Sequence, residues 1–350
     1  MSRRIYLDHA ATTPLLPQAR AAMLAGFDAW ANPSSPHAAG RQARAMLEDA
    51  RRRVARALDW DGRVLFTAGA SEALAIALTR ARASALLAGA SEHDAVLRHI
   101  PEDRRLPVDH DGIVCLPDAI APGTLIAIQQ VNSETGVIQP LEAFAERIHA
   151  QNGLLLADCS QSAGKMALPQ GADLIVLSAH KLGGPIGIGA LLVRDLTLLS
   201  PSGGQEQGYR AGTEAMPLAL GFAAALEAPR DWLADVAGWR ERMDAAILAA
   251  GGEIVADASP RLPTIASYRM PGVSAQAQLI RFDMAGIAVS AGSACSSGSL
   301  RTSHVLAAMG WPQAEAAEVI RVTMGHDTCA ADIDDFLTEW QAIAHGNARR

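Results

Sequence analysis

The stretch Asp173-Leu-Ile-Val-Leu-Ser-Ala-His-Lys181-Leu-Gly-Gly-Pro-Ile-Gly-Ile-Gly189 decides the reading of this chain. Its first half, Leu174 to Leu177, is an unbroken apolar run of the length that suits a buried strand. The run ends in Ser178, His180 and Lys181, followed by a glycine-rich turn and a second apolar run from Ile188 to Val193. A lysine at the mouth of a buried strand, flanked by hydroxyl and imidazole donors, is badly placed as a solubilising charge. It is well placed as a desolvated amine that condenses with the aldehyde of a cofactor. A strand-end lysine reaching solvent is the competing reading of these residues alone.

Upstream, Gly153-Leu-Leu-Leu-Ala-Asp158 is another short apolar strand ending in a carboxylate, followed by Cys159, Ser160 and Gln161. By itself Asp158 reads as a cap on the next turn. Paired with a strand-end lysine, it suits pyridoxal phosphate. The aspartate keeps the pyridine nitrogen protonated, which makes the ring an electron sink, while the lysine holds the aldehyde.

The 350 residues are 49% hydrophobic, enough for a large buried core in one big domain or two unequal ones. A formal net charge of −7 with no dominant basic block argues against nucleic acid as the main partner. The N-terminal Met1 to Asp8 lacks the apolar core of a signal peptide, and apolar stretches such as Ala73 to Leu78 are too short to cross a membrane. Cys115, Cys159, Cys295 and Cys329 show no CxxC pairing, so neither a zinc ribbon nor a disulfide framework is expected, nor any other metal. A reducing cytoplasm is the natural setting.

Strands and helices alternate along the chain. An amphipathic helix is predicted over Arg41–Leu58, a strand over Arg63–Thr67, then a helix opening at Gly69-Ala-Ser-Glu72 and running to about Leu87. Ala85 to Ala90 reads as that helix's end or a short strand. A strand over Leu125–Val131, a helix from about Pro140, and the strands ending at Asp158 and Ser178 complete an α/β domain with a largely parallel sheet. Helical patterns fill Leu218–Glu227 and Trp232–Ala250. Beyond lie strand-like Thr264–Tyr268 and Ile287–Ser290, and helices near Leu300–Met309 and Ala331–Ala344. This last third reads as a smaller α+β unit completed by the N-terminal segment. The division expected is 13–233 for the large domain, with 1–12 and 234–350 forming the small one.

Several residues are candidates for the site. Gly69-Ala70-Ser71 joins a strand to a helix N-terminus, where free N–H groups and the helix dipole favour an anion, and Ser178 and His180 add donors for one phosphate. Ser71 as a plain N-cap is the other reading. His93 is placed to stack on a cofactor ring and relay protons. Asn132 and Gln161 are candidates for hydrogen bonds to the ring substituents. Arg321, inside Val319-Ile-Arg-Val-Thr323, is either a clamp for a substrate carboxylate or a salt bridge at a domain boundary. Cys295 sits in Ser290-Ala-Gly-Ser-Ala-Cys295-Ser-Ser-Gly-Ser299, among small residues rather than the apolar neighbours of a structural cysteine, as suits a travelling nucleophile. Cys115, Cys159 and Cys329 have no such setting.

The chain resembles the cysteine desulfurases, of the class V aminotransferase group within fold-type I pyridoxal-phosphate enzymes. The matching segments run nearly end to end: Tyr6-Leu-Asp-His-Ala-Ala-Thr-Thr-Pro14, Asn32-Pro-Ser-Ser-Pro-His37, Thr67-Ala-Gly-Ala-Ser-Glu72, Glu92-His-Asp-Ala-Val96, Val131-Asn-Ser-Glu-Thr-Gly136, Asp158-Cys-Ser-Gln-Ser-Ala-Gly-Lys165, Ser178-Ala-His-Lys-Leu-Gly-Gly-Pro185, Gly203-Gly-Gln-Glu-Gln-Gly-Tyr-Arg-Ala-Gly-Thr213 and Gly292-Ser-Ala-Cys-Ser-Ser-Gly-Ser299. Ser71 stands where threonine is commoner, and Gln207 where arginine is.

The resemblance implies roles. Lys181 would bind the cofactor aldehyde, Asp158 the pyridine nitrogen, and His93 the ring face. Ala70, Ser71, Ser178 and His180 would hold the phosphate, with Thr213 reaching in from the second subunit of a homodimer. Asn132 and Gln161 would contact the ring substituents, and Arg321 with Asn132 the carboxylate of L-cysteine. Cys295 would take the sulfur as a persulfide, releasing L-alanine, and deliver it to an iron–sulfur scaffold or a sulfur carrier. Selenocysteine lyase chemistry in the same site is one alternative. A weakly active scaffold partner of another desulfurase is a second.

Overall fold

The computed structural model describes residues 4–29, 31–292 and 303–347. Its strands are β1 (Ile5–Tyr6), β2 (Arg63–Thr67), β3 (Ala85–Gly89), β4 (Arg105–Leu106), β5 (Thr124–Gln129), β6 (Leu154–Asp158), β7 (Leu174–Ser178), β8 (Gly189–Val193), β9 (Glu253–Ile254), β10 (Ile265–Arg269), β11 (Ile287–Ala288) and β12 (Val319–Thr323). Seven of them form one sheet in the order β2-β8-β7-β6-β5-β3-β4. Within it β6 pairs in parallel with β5 and β7, while β8 runs antiparallel to both its neighbours. All six residues of β5 and all five of β7 are buried. That is why these strands read as continuous apolar runs, with no polar face to show an alternation.

Helices cover the sheet. Ala38–Ala57 buries Gly40, Ala43, Leu47, Ala50 and Val54, the helical stripe that its sequence spells. His37 caps its start, Nδ1 accepting from the Gly40 amide at 3.2 Å. Arg51, on the buried face of that helix, donates to Glu206 and to the Val64 carbonyl, so the charge enters the core already paired. Met216–Glu227 is apolar nearly all round and is almost wholly buried, packed on the helices Pro17–Asp28 and Ala38–Ala57.

One expected element needs correction. The helix that opens at Ala70 ends at Arg80, well short of Leu87, and Ala85–Gly89 is β3, an interior strand of the large sheet. Ala, Leu and Gly carry no β-branched signal, so the sequence leaves helix end and short strand both open there. Pairing with β5 and β4 makes it a strand.

A second core gathers Leu7, Val236, Met243, Tyr268, Phe282, Ile320, Val322, Phe336 and Trp340 around the antiparallel sheet β12-β10-β9. Trp340 is fully buried, edge-on to Tyr268 and tilted against Phe336. The N-terminal strand β1 pairs in parallel with β11, and the next residues join β12: the Thr323 amide donates to the Leu7 carbonyl at 2.8 Å. Residues 5–8 are thereby threaded between the C-terminal strands and continue at once to the large sheet.

Candidate active site

The C-terminal ends of β3, β5, β6 and β7 open into a cleft of about 1160 Å³. This is where a largely parallel sheet places its ligands. Ala70, Ser71, His93, Asp158, Gln161, Ser178, His180, Lys181 and Arg321 all line it, so residues far apart in sequence meet there.

Lys181 ends a single 3-10 turn, Ala179–Lys181, that follows β7. Its Nζ donates to the carbonyl oxygens of Ala10 at 2.6 Å and Ala11 at 2.8 Å. The segment after β1 therefore fixes where the amine points. The sequence names these residues only as part of a matching segment, and nothing local in it reveals the contact. Asp158 is 8% exposed at the end of β6, with Gln129 and Val176 as its strand neighbours. Its Oδ1 accepts from the amide and the hydroxyl of Ser160, which locks the carboxylate's rotamer.

His93 caps the short helix Asp94–Leu97, Nδ1 accepting from the Ala95 amide at 3.0 Å. Beside it Glu92, which sequence reasoning passed over, is completely buried on the cleft wall and accepts from the Gln129 amide at 2.9 Å. Burial and the neighbouring Asp158 charge hold its carboxyl well above the usual range. The available signal was its position directly after β3, between Ser91 and His93.

Two features of the cleft ask for a ligand. Helix Ala70–Arg80 starts at Gly69, at φ +152°, with no side-chain cap, so its first amides have no partner within the helix. A Cβ built on Gly69 meets nothing within 4 Å, so this end stands open. Gln161 donates from Nε2 to the Ala10 carbonyl, while its buried Oε1 has no partner among the described residues. A ligand with an anion at one end and polar ring substituents at the other satisfies both, and pyridoxal phosphate is of that shape. His180 contributes Nδ1, 3.2 Å from the Thr12 hydroxyl; burial and Lys181 pull its pKa down to about 4.

Arg321 enters from β12. It donates to Asp8 Oδ1 at 2.9 Å and to the Ser133 carbonyl at 3.0 Å, and its buried Nε has no partner among the described residues. Arg321 is thus paired with Asp8 and also lines the cleft. Asn132 is buried but does not line the cleft. Its Oδ1 accepts from the Glu134 and Thr135 amides and its Nδ2 donates to the Ser91 carbonyl, which fixes the turn after β5. Thr213 is exposed and away from the cleft of its own chain.

Cys295 lies outside the described residues. Gly292 before it and His304 after it both line the cleft. Cys115 is exposed, Cys329 is half-buried, and burial pushes the Cys159 thiol up, which keeps it protonated.

The aminotransferase class-V family model matches residues 5–336. A cysteine desulfurase of Cereibacter sphaeroides is 37% identical over 364 residues, spanning 95% of this chain and 94% of the relative. A NifS-like protein from Rickettsia africae has a solved structure that superposes with a TM-score of 0.87 at 26% identity, covering 98% of this chain and 100% of that one. The solved complex of SspA with cysteine superposes with a TM-score of 0.79 at 29% identity, over 91% of this chain and 98% of that one. Sequence, fold and cleft agree: the chain belongs to the aminotransferase class-V family, in its cysteine desulfurase branch.

Proposed function

We propose that this protein is a cysteine desulfurase that uses pyridoxal 5'-phosphate, takes L-cysteine to L-alanine and carries the sulfur away on Cys295. The observation that carries this reading is the convergence of Lys181, Asp158 and an uncapped helix N-terminus on one cleft, with Arg321 entering from the smaller sheet.

Pyridoxal phosphate, when bound, supplies an aldehyde for amines and a protonated ring that draws electrons from the substrate. Lys181 would hold the aldehyde, its amine oriented by the Ala10 and Ala11 carbonyls. Asp158, braced by Ser160, would keep the proton on the ring nitrogen. Ala70, Ser71, Ser178 and His180 would seat the phosphate, with Thr213 supplied by the second subunit of a homodimer. Gln161 would contact a ring substituent, Asn132 would brace the turn after β5 that carries Ser133 and Glu134 to the cleft, and His93 would cover the ring and shuttle protons. Arg321 would clamp the substrate carboxylate, exchanging its bond to Asp8 for a bidentate one.

Cys295 completes the reaction as a nucleophile. Its thiolate attacks the substrate sulfur, an S–S bond forms, and the carbon–sulfur electron pair stays with carbon. A proton then completes alanine, so one sulfur atom moves and no external oxidant is consumed. Gly292 and His304 bracket the segment that carries Cys295, and both face the cleft. The resulting persulfide would serve a protein acceptor in the cytoplasm, for iron–sulfur cluster assembly or thiolation.

The test is turnover with L-cysteine. With a thiol reductant, alanine and sulfide should appear in equal amounts. Cys295→Ser should bind the cofactor yet make almost no alanine. Without reductant, peptide mass spectrometry should find one added sulfur on the Cys295 peptide. Full alanine production by Cys295→Ser, or sulfur on Cys329 instead, would overturn the reading.

A further inference from the structure

Residues 8–13 touch the groups of the cleft at nearly every position. Asp8 accepts from Arg321 at 2.9 Å. The Ala10 carbonyl accepts from Lys181 Nζ and from Gln161 Nε2, and the Ala11 carbonyl from Lys181 Nζ. The Thr13 hydroxyl donates to the Lys181 carbonyl at 3.1 Å, and its amide to the His180 carbonyl at 2.8 Å. His9 is the exception: its ring is 1% exposed, lies outside the cleft and packs against Tyr6, Gly325 and His326.

The ring is held there by shape. Neither of its nitrogens has a hydrogen-bond partner among the described residues, and Asp327 stands 3.3 Å from Nε2 off hydrogen-bonding geometry. Tyr6 meets it edge-on, with 5.0 Å between ring centroids. Gly325 closes the seat: a Cβ built there would overlap Nδ1, Cε1 and Cγ of the ring. Gly325 does not take a left-handed backbone, so the ring, and not the chain conformation, is what a side chain would meet. The glycine cannot easily retreat either. It lies two residues past β12, where the Met324 amide donates to the Thr264 carbonyl and its own amide to the Thr328 hydroxyl, each at 2.9 Å. A displacement at this contact therefore passes to His9 and on to its neighbours Asp8 and Ala10.

We propose that the seat of His9 against Gly325 is the positioning contact of the site. Through Asp8 it sets the Arg321 guanidinium, and through Ala10 and Ala11 it sets the Lys181 amine. The inference rests on the desulfurase reading above. Neither Gly325 nor His9 lines the cleft, so both act through their neighbours. Misplacing an oriented group by an ångström costs about 10²-fold in rate, so one methyl group at position 325 should register at both ends of the cleft.

In the cofactor-loaded protein, Gly325→Ala should lower kcat by about 10- to 100-fold. It should also raise KM for L-cysteine and shift the pH midpoint of the bound cofactor's absorption band. His9→Ala empties the seat and should move the band and KM by less. Combining the two substitutions restores room, so the double variant should lie closer to the parent than Gly325→Ala does, a non-additivity that independent sites do not show. Gly252→Ala is the control, since its Cβ would crowd Ile247 and Trp340 in the second core instead of the His9 ring. It should lower the thermal midpoint and leave the band and KM unchanged. Parent values of both readouts in Gly325→Ala, or a double variant no closer to the parent, would overturn the proposal. If Gly325→Ala does not fold, His9→Ala decides alone, and parent values of both readouts there would overturn it too. The desulfurase reading fails separately, if the parent makes no alanine from L-cysteine; the band needs no substrate and still reads this contact.

Discussion

The cleft wall that carries Asp158, Ser178 and Lys181 is made of successive strand ends of one sheet, whereas the wall that carries Arg321 is made from the two ends of the chain. In the first wall each functional group follows directly on a fully or largely buried strand, so a short window of sequence holds both the scaffold and the chemistry. In the second, Arg321 on β12 is positioned by Asp8 just after β1, across the length of the chain. Lys181 belongs to the first wall, yet its amine is aimed by carbonyls of the second. The sheet therefore supplies the reactive groups and the chain ends orient them.

The sheet wall should show the largest loss per substitution. Asp158→Asn keeps the size and the Ser160 contacts, so it should fold and load cofactor, while turnover falls about 10²- to 10⁴-fold. Near-normal turnover in a correctly loaded variant would erase the contrast between the walls. In the chain-end wall, Arg321→Met removes hydrogen bonds to a carboxylate, each worth about 1.5–3 kcal/mol. It should raise KM for L-cysteine by roughly 10- to 150-fold. Asp8→Asn should change KM only a few-fold, since it loosens Arg321 without removing it. Equal effects from the two substitutions would show that the loss comes from breaking the Asp8–Arg321 pair rather than from a contact between Arg321 and the substrate.

Both walls should be acid-sensitive, because His180 on the sheet wall and His9 in the chain-end segment each have a pKa pulled down to about 4, and His9 is the more deeply buried of the two. His9 is 1% exposed and lies 3.3 Å from Asp327, off hydrogen-bonding geometry. Burial is the main reason its pKa falls to about 4; Asp327 opposes that fall, and His326 and Lys165 add to it. The folded state thus resists a proton that the unfolded chain accepts near 6.5. Stability from this group is complete above about 6.5 and declines as pH falls toward 4, by on the order of 3 kcal/mol. The thermal midpoint should drop over that interval, and His9→Gln should flatten part of the slope. An unchanged slope would place the acid sensitivity elsewhere.

The same contrast explains what could be read from sequence. β6 and β7 and the groups after them were legible because buried parallel strands are apolar runs with polar ends, and β2, antiparallel at the sheet edge, because all its residues after Arg63 are buried. β3 was legible only as one of two readings, helix end or short strand, because Ala85-Leu-Leu-Ala-Gly89 carries no β-branched signal and its identity comes from pairing with β5. The Lys181–Ala10 contact and the Arg321–Asp8 pair were not legible because tertiary threading of residues 5–14 creates them. The seat of His9 went unread for another reason: Gly325 matters through the side chain it lacks, and no local pattern encodes what fills that space.

The central claim is that Lys181, and not the neighbouring Lys165, is the amine that holds the cofactor. Borohydride treatment of the cofactor-loaded protein, followed by peptide mass spectrometry, tests it most directly. The account predicts the reduced cofactor's mass on the peptide containing Lys181, with the Lys165 peptide unmodified and no tag on Lys181→Ala. A tag on Lys165, or undiminished tagging of Lys181→Ala, would contradict it.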